Sequence, residues 1–271
     1  MRNLNKEVIN STPKYTESIK PLHSTKKFLD DYAFLVFGRD SIVCKKYVFT
    51  LQTILNSAVS TLENIIECCN SFCIADANTL LRKYRDDIFF CLYIVLYDSN
   101  KKLNIKTHTS VMEKNIEKWC ENSLENLNIS EVLKIIGTSA IIIEASKKYN
   151  LQSSFDYIGK TLNNYVHGNG YSFYNRNINA YSEKEIIKRL TGIAQNATYI
   201  TVTFIFLLIL CSPLLVMSTD YIDYLEFGET PPKDSQYWVA PFVENFIKNN
   251  INMIDKNCYE YLKENTRMHF E

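Results

Sequence analysis

Residues 199–217 read YITVTFIFLLILCSPLLVM, 19 consecutive positions without a charge. Such a run has two homes, the hydrocarbon of a bilayer or the centre of a protein core. As a helix rising about 1.5 Å per residue it would span about 28 Å, close to the thickness of a bilayer core. Ser212-Pro213 argues for the protein core. The pair reads as an N-cap followed by proline at the first helical position, and it would divide the run into two shorter helices. The second piece is amphipathic: Leu214, Met217, Tyr221, Ile222 and Leu225 fall on one side, and Asp220, Asp223 and Glu226 fall elsewhere. Pieces of about 14 residues are more often core helices than spans. The expectation is a buried core in a cytoplasmic protein. Membrane association through 199–217 is the alternative, because membrane helices tolerate proline.

The rest of the chain points the same way. Seven glycines and six prolines in 271 residues are too few turn-formers for an all-β fold. No segment alternates at period two, so the expected class is all-α. Residues 1–28 are polar, contain Pro13 and Pro21, and lack the apolar centre of a secretory signal; they read as a flexible arm. From Asp40, with Asp40 or Ser41 as cap, Cys44, Tyr47, Val48, Leu51, Leu55, Ala58, Leu62, Ile65, Ile66 and Cys69 recur at spacings of three and four. That predicts one long helix. A second helix, from about Asn78 to Tyr97, is apolar almost all round after Asp87 and belongs at the centre of a bundle.

Further helices are predicted around Ile116 and Trp119, from Ser130 through Ile143, and from Ser153, where Ser153 and Asp156 form a capping pattern. The last of these would bury Phe155, Ile158, Leu162, Tyr165 and Val166. GETPPKDS (228–235) reads as a loop, and a final helix runs from Pro241 to beyond Leu262. The expected organisation is an arm (1–28), a helical bundle (29–178) and a C-terminal helical extension packed on it (179–271).

Several function classes lack support. The formal net charge is zero, so any nucleic-acid contact must be local. The eight cysteines form no C-x-x-C pair, and no cysteine or histidine set has zinc spacing. They read as reduced thiols at apolar positions, with no metal and no cofactor expected. The phosphate-binding GxxxxGK[ST] and GxGxxG loops, HExxH and GxSxG are all absent.

Two stretches remain. In NNYVHGNGYSFYN (163–175), Asp156, Lys160, Asn163 and His167 fall at i, i+4, i+7 and i+11, a single polar stripe on the flank of the buried face. Gly168-Asn169-Gly170 allows a left-handed stop, which puts His167 at a helix C-terminus, where the dipole favours a cation. Tyr171, Tyr174 and Arg176 follow. A histidine, a lysine, an amide and tyrosines together can move protons beside a phosphate. The plainer reading is a histidine that bonds terminal carbonyls while the glycines end the helix. In LLRKYRDDIFF, Arg82 and Asp86 are spaced to pair within one helix, just ahead of an apolar run. Arg82 would either fix helix register as half of a structural ion pair or bind a phosphate.

LLRKYRDDIFFCLYI, followed about eighty residues later by NNYVHGNG, resembles the HEPN superfamily. The resemblance covers about 40–175 and rests on short motifs. It implies a small helical bundle of the kind found in prokaryotic abortive-infection and toxin–antitoxin proteins. It also implies a homodimer with facing histidine sites, and an operon partner or antitoxin. Active members of the superfamily are metal-independent ribonucleases that carry arginine, four to six residues, then histidine. By position His167 matches the histidine, while Lys160 stands where the arginine is expected. That departure keeps the charge and loses the bidentate fork. In this reading the substrate is RNA. His167, Lys160 and Asn163 are catalytic, and Arg82, Asp86, Asn164 and Tyr171 support them. Other members are non-catalytic binding or sensing modules.

Overall fold

The structure is a computed structural model that describes residues 6–39, 41–124, 129–168, 170–174, 182–230, 239–266 and 268–270. Asp40, Asn169, Arg176 and most of the loop 228–235 lie outside the described residues. The elements run α1 (Lys6–Asn10), α2 (Pro13–Leu35), β1 (Ile42–Cys44), β2 (Tyr47–Phe49), α3 (Gln52–Asn70), α4 (Ile74–Lys102) and α5 (Thr109–Cys120). They continue with α6 (Ile129–Thr138), α7 (Ile143–Lys148), α8 (Leu151–Val166), α9 (Tyr171–Tyr174), α10 (Glu183–Cys211), α11 (Thr219–Glu226), α12 (Pro241–Asn250) and α13 (Cys258–Asn265). Among the described residues the fold is all-α apart from one two-stranded hairpin and an isolated bridge between Met217 and Val239.

Helix α4 is the axis. Every side chain from Ile88 to Tyr97 is buried, and α3, α5, α6, α8 and α10 all pack on it. Helix α10 is the second buried rod, and it absorbs the uncharged run up to Cys211. It is long and apolar enough to cross a membrane, and 78% of its most apolar stretch is buried within the protein. Its hydroxyls fix its register. Thr201 Oγ1 lies 2.6 Å from the Tyr84 hydroxyl on α4, and Thr198 Oγ1 lies 2.9 Å from Thr25 Oγ1 on α2. Ser99 Oγ donates to the Cys211 carbonyl at 2.7 Å.

The N-terminal segment is not a loose arm. From Pro13 onward it is helix α2, packed along α3 and α10. Thr12 caps it by accepting from the Tyr15 N–H, and Pro13 occupies the first helical position, where its missing N–H costs nothing. Pro21 sits inside the helix, which continues through it.

Residues 42–49 do not start the long helix. They form an antiparallel hairpin pairing Ile42 with Phe49 and Cys44 with Tyr47. Lys45 takes the left-handed conformation in its two-residue turn, as such a turn requires. Ile42 and Cys44 point into the core and Val43 outward, the alternation of a half-buried strand.

Three other elements differ from the sequence reading. The helix expected from Ser130 through Ile143 stops at Thr138, whose hydroxyl bonds back to the Lys134 carbonyl, and Ser139 carries a turn into α7. Ser212 and Pro213 divide the uncharged run as expected, at the N-cap and first positions, but Ser212 makes no side-chain cap bond and the pair opens only the 3-10 turn Pro213–Val216; α11 starts at Thr219. The C-terminal helix is broken between α12 and α13, where the Asn257 N–H bonds the Asp255 carboxylate in a local turn.

Candidate active site at the end of α8

Helix α8 packs on α4 through Leu151, Phe155, Ile158, Gly159 and Leu162. Its start is not the expected capping box. Asn150 enters in the left-handed conformation, Ser153 Oγ donates to Asn150 Oδ1 at 2.8 Å, and Asp156 accepts from Gln152 at 2.9 Å. Its end is as the glycines suggest. His167 is the C-cap, with its N–H on the Asn163 carbonyl at 3.0 Å, and Gly168 follows at φ +56°. Tyr165 and Phe173 meet edge to face at 5.2 Å and hold α9 against α8. At the start of α9, Tyr171 is 85% exposed. Tyr165 is half-buried and Val166 exposed, so the buried stripe ends a turn earlier than its apolar residues suggest.

The α8 terminus lies over the polar turn of α4. Arg82 Nη1 is 3.4 Å from His167 Nε2, across 85 positions of sequence. A guanidinium can only donate, so a hydrogen bond across this contact requires the ring nitrogen as its acceptor. On its other side, Arg82 Nε is 3.7 Å from an Asp86 carboxylate oxygen, both side chains being about three-quarters buried. Acid, arginine and histidine thus form a chain from the helix interface to the surface, where the ring is exposed.

Asp86 has a second, closer partner that the sequence reading missed. Arg85 is 2% exposed and sends Nε and Nη2 to the same Asp86 oxygen at 2.8 and 2.6 Å. The Arg82–Asp86 pair is present, but it is the weaker arm of a triad. Burial pushes the Asp86 carboxyl above the ordinary carboxylate range, against the pull of Arg85 and Arg82.

Arg85 fits because Gly159 faces it: a Cβ there would lie 2.8 Å from Nη1. A glycine inside an otherwise regular helix was the signal that could have revealed this close approach.

Beside this contact is a cavity of about 390 Å³ between α4, α6 and α8. Arg85, Asp156, Lys160, Asn163 and Asn164 supply its polar side, and Leu133 and Phe155 supply apolar wall. Asn163 Oδ1 is buried with no hydrogen-bond partner among the described residues. The predicted stripe therefore divides. Asp156, Lys160 and Asn163 line the cavity, and His167 stands one turn beyond it against Arg82. No group of three metal-binding side chains occurs among the described residues. Comparison of the chain with protein-family models, curated proteins and solved structures gives no match.

Proposed function

We propose that the protein is a HEPN-type, metal-independent RNA endonuclease of prokaryotic antiviral defence, or the toxin of a toxin–antitoxin pair. The observation that carries this reading is the contact between Arg82 and His167 at a glycine-ended helix terminus. His167 Nε2 takes the proton of a ribose 2′-hydroxyl, and the oxygen attacks the adjacent phosphorus. The phosphorus–O5′ bond breaks with its electron pair on O5′, which takes the proton back from the imidazolium. The products are a 2′,3′-cyclic phosphate and a 5′-hydroxyl, and no water is consumed.

Arg82 neutralises the phosphoryl oxygens as charge builds on them. It supplies from α4 the fork that Lys160 lacks on α8. Lys160 precedes His167 by two helical turns, about 10 Å, which suits a neighbouring nucleotide better than the scissile phosphate. Asn164 and Tyr171 flank the track. The partners in this reading are RNA, a second copy of the chain with its histidine site facing the first, and an antitoxin or other operon partner.

The test is incubation of purified protein with RNA in excess chelator. Cleavage giving cyclic-phosphate ends, abolished by His167→Ala, is the expected result; cleavage unaffected by that substitution would sink the reading. A second reading, a non-catalytic helical binding or sensing module, is favoured by lysine at position 160. It requires that His167→Ala lower thermal stability and leave the cellular effect intact.

The protein works in the cytoplasm in either case. The burial of α10 supports this over membrane insertion through 199–217. The protein is expected in the supernatant after high-speed centrifugation without detergent, and recovery only in the membrane pellet would reverse that assignment.

A further inference from the structure

The cavity one turn before His167 has the make-up of a site for a flat, uncharged, hydrogen-bonding ring. Its charges balance in number: Arg85 is paired with Asp86, and Lys160 lines the same cavity as Asp156. A free anion gains little from such a balance. Phe155 and Leu133 offer apolar surface to the faces of a ring.

Two polar groups supply the edge contacts. Arg85 is almost wholly buried, and its Nε and Nη2 are held by Asp86. Nη1 is the end turned toward Gly159, which also lines the cavity. Asn163 follows Gly159 by one turn on the same face, and its buried Oδ1 has no partner among the described residues. Rotation about the terminal amide torsion, which is soft, turns that oxygen to the cavity. A ligand that presents an acceptor to Arg85 and a donor to Asn163 answers both, and nucleobases carry such edges.

We infer that this cavity is a nucleobase subsite. The inference rests on the ribonuclease reading for its biological substrate, in which it holds the base of a nucleotide next to the scissile phosphate, about 6 Å along α8 from His167. The binding itself does not depend on cleavage.

The experiment is titration of the full chain with each of the four nucleoside 5′-monophosphates and with ribose 5-phosphate, followed by ligand-observed NMR. At least one nucleotide is expected to bind about tenfold or more tightly than ribose 5-phosphate. Asn163→Leu is expected to weaken that binding about tenfold, the scale of one lost base contact. It is not expected to lower Tm, because in the free protein it removes a buried oxygen that has no partner among the described residues. Gly159→Ala serves as the second variant. It favours the helix and crowds Nη1, so it too is expected to weaken binding.

Equal binding of ribose 5-phosphate would make this an anion site and overturn the inference. Absence of nucleotide binding, or unchanged binding in both variants, would overturn it as well. Nucleotide binding that obeys these variants in a protein that cleaves no RNA would leave the subsite standing and remove only the nuclease.

Discussion

Under the proposed ribonuclease reading, Arg82→Ala is expected to lower the rate of RNA cleavage by about 10²–10³-fold, the usual effect of removing one preorganised donor to developing negative charge. Lys160→Ala is expected to lower it by less than about tenfold. The order follows from position. Arg82 Nη1 is 3.4 Å from the histidine ring, so a phosphate within reach of His167 Nε2 is also within reach of the guanidinium. Lys160 lines the cavity beside Arg85 and Asn163, two helical turns before His167. Arg82→Lys is expected to fall between the two, because it keeps the charge and loses the fork.

The measurement is a set of single-turnover rates on one RNA, with near-ultraviolet circular dichroism confirming that each variant is folded. That control is needed because Arg82 also helps to neutralise Asp86, and its removal is expected to cost about 1 kcal/mol of stability. A larger loss from Lys160 than from Arg82 would return the phosphate-binding role to α8 and refute the division of labour proposed here.

The parts of this protein that the sequence made legible are those where a single period dominates. The run from Ile88 to Tyr97 is apolar on every side, and a helix of that kind has nowhere to go but the centre of a bundle. The end of α8 was legible for a similar reason: glycine is the residue that tolerates the left-handed turn found at position 168. The misses came where a second signal imitates or hides the first. In α2 the inward positions 15, 18, 19, 22, 25, 28, 29, 32 and 33 keep helical spacing, but two of them are Ser18 and Thr25. Those hydroxyls are buried on internal partners, so the stripe looked polar and interrupted. In 42–49 the reverse happened. Cys44, Tyr47, Val48 and Leu51 happen to fit a helical period, and the β-branched residues Ile42, Val43 and Val48, which favour a strand, were outweighed.

The site was legible as a list and not as an arrangement. Nothing local says that Arg85, and not Arg82, is the arginine that turns inward with Tyr84 and Ile88. That follows from how α8 docks, and the docking depends on Gly159.

Arg85→Ala is expected to lower stability by about 3–5 kcal/mol, the effect of removing one partner from a buried ion pair. At roughly 2–4 °C per kcal/mol for a chain of this size, Tm falls by about 6–20 °C. The cause is what the substitution leaves behind: among the described residues Asp86, three-quarters buried, keeps the more distant Arg82 as its ion-pair partner. Asp86→Ala is expected to cost as much for the converse reason, since it strands a guanidinium that is 2% exposed. The double variant Arg85→Met/Asp86→Leu strands neither and is expected to recover most of the loss, because a packed apolar pair replaces the ions at little or no net cost.

Titration gives an independent check. The Asp86 carboxyl is already raised by burial, so its contribution to stability is present below the ordinary carboxylate range and is lost as pH rises through its raised value. Removing Arg85 takes away the main influence that opposes the rise, and the carboxyl moves higher still. The Tm difference between wild type and Arg85→Ala is therefore largest at neutral pH and narrows as acid protonates the stranded carboxylate. A difference that stays constant from neutral pH down to about pH 5 would mean that the lost stability is packing alone. The arginine would then be a spacer between α4 and α8, and the charge of Asp86 would have no part in holding the site together.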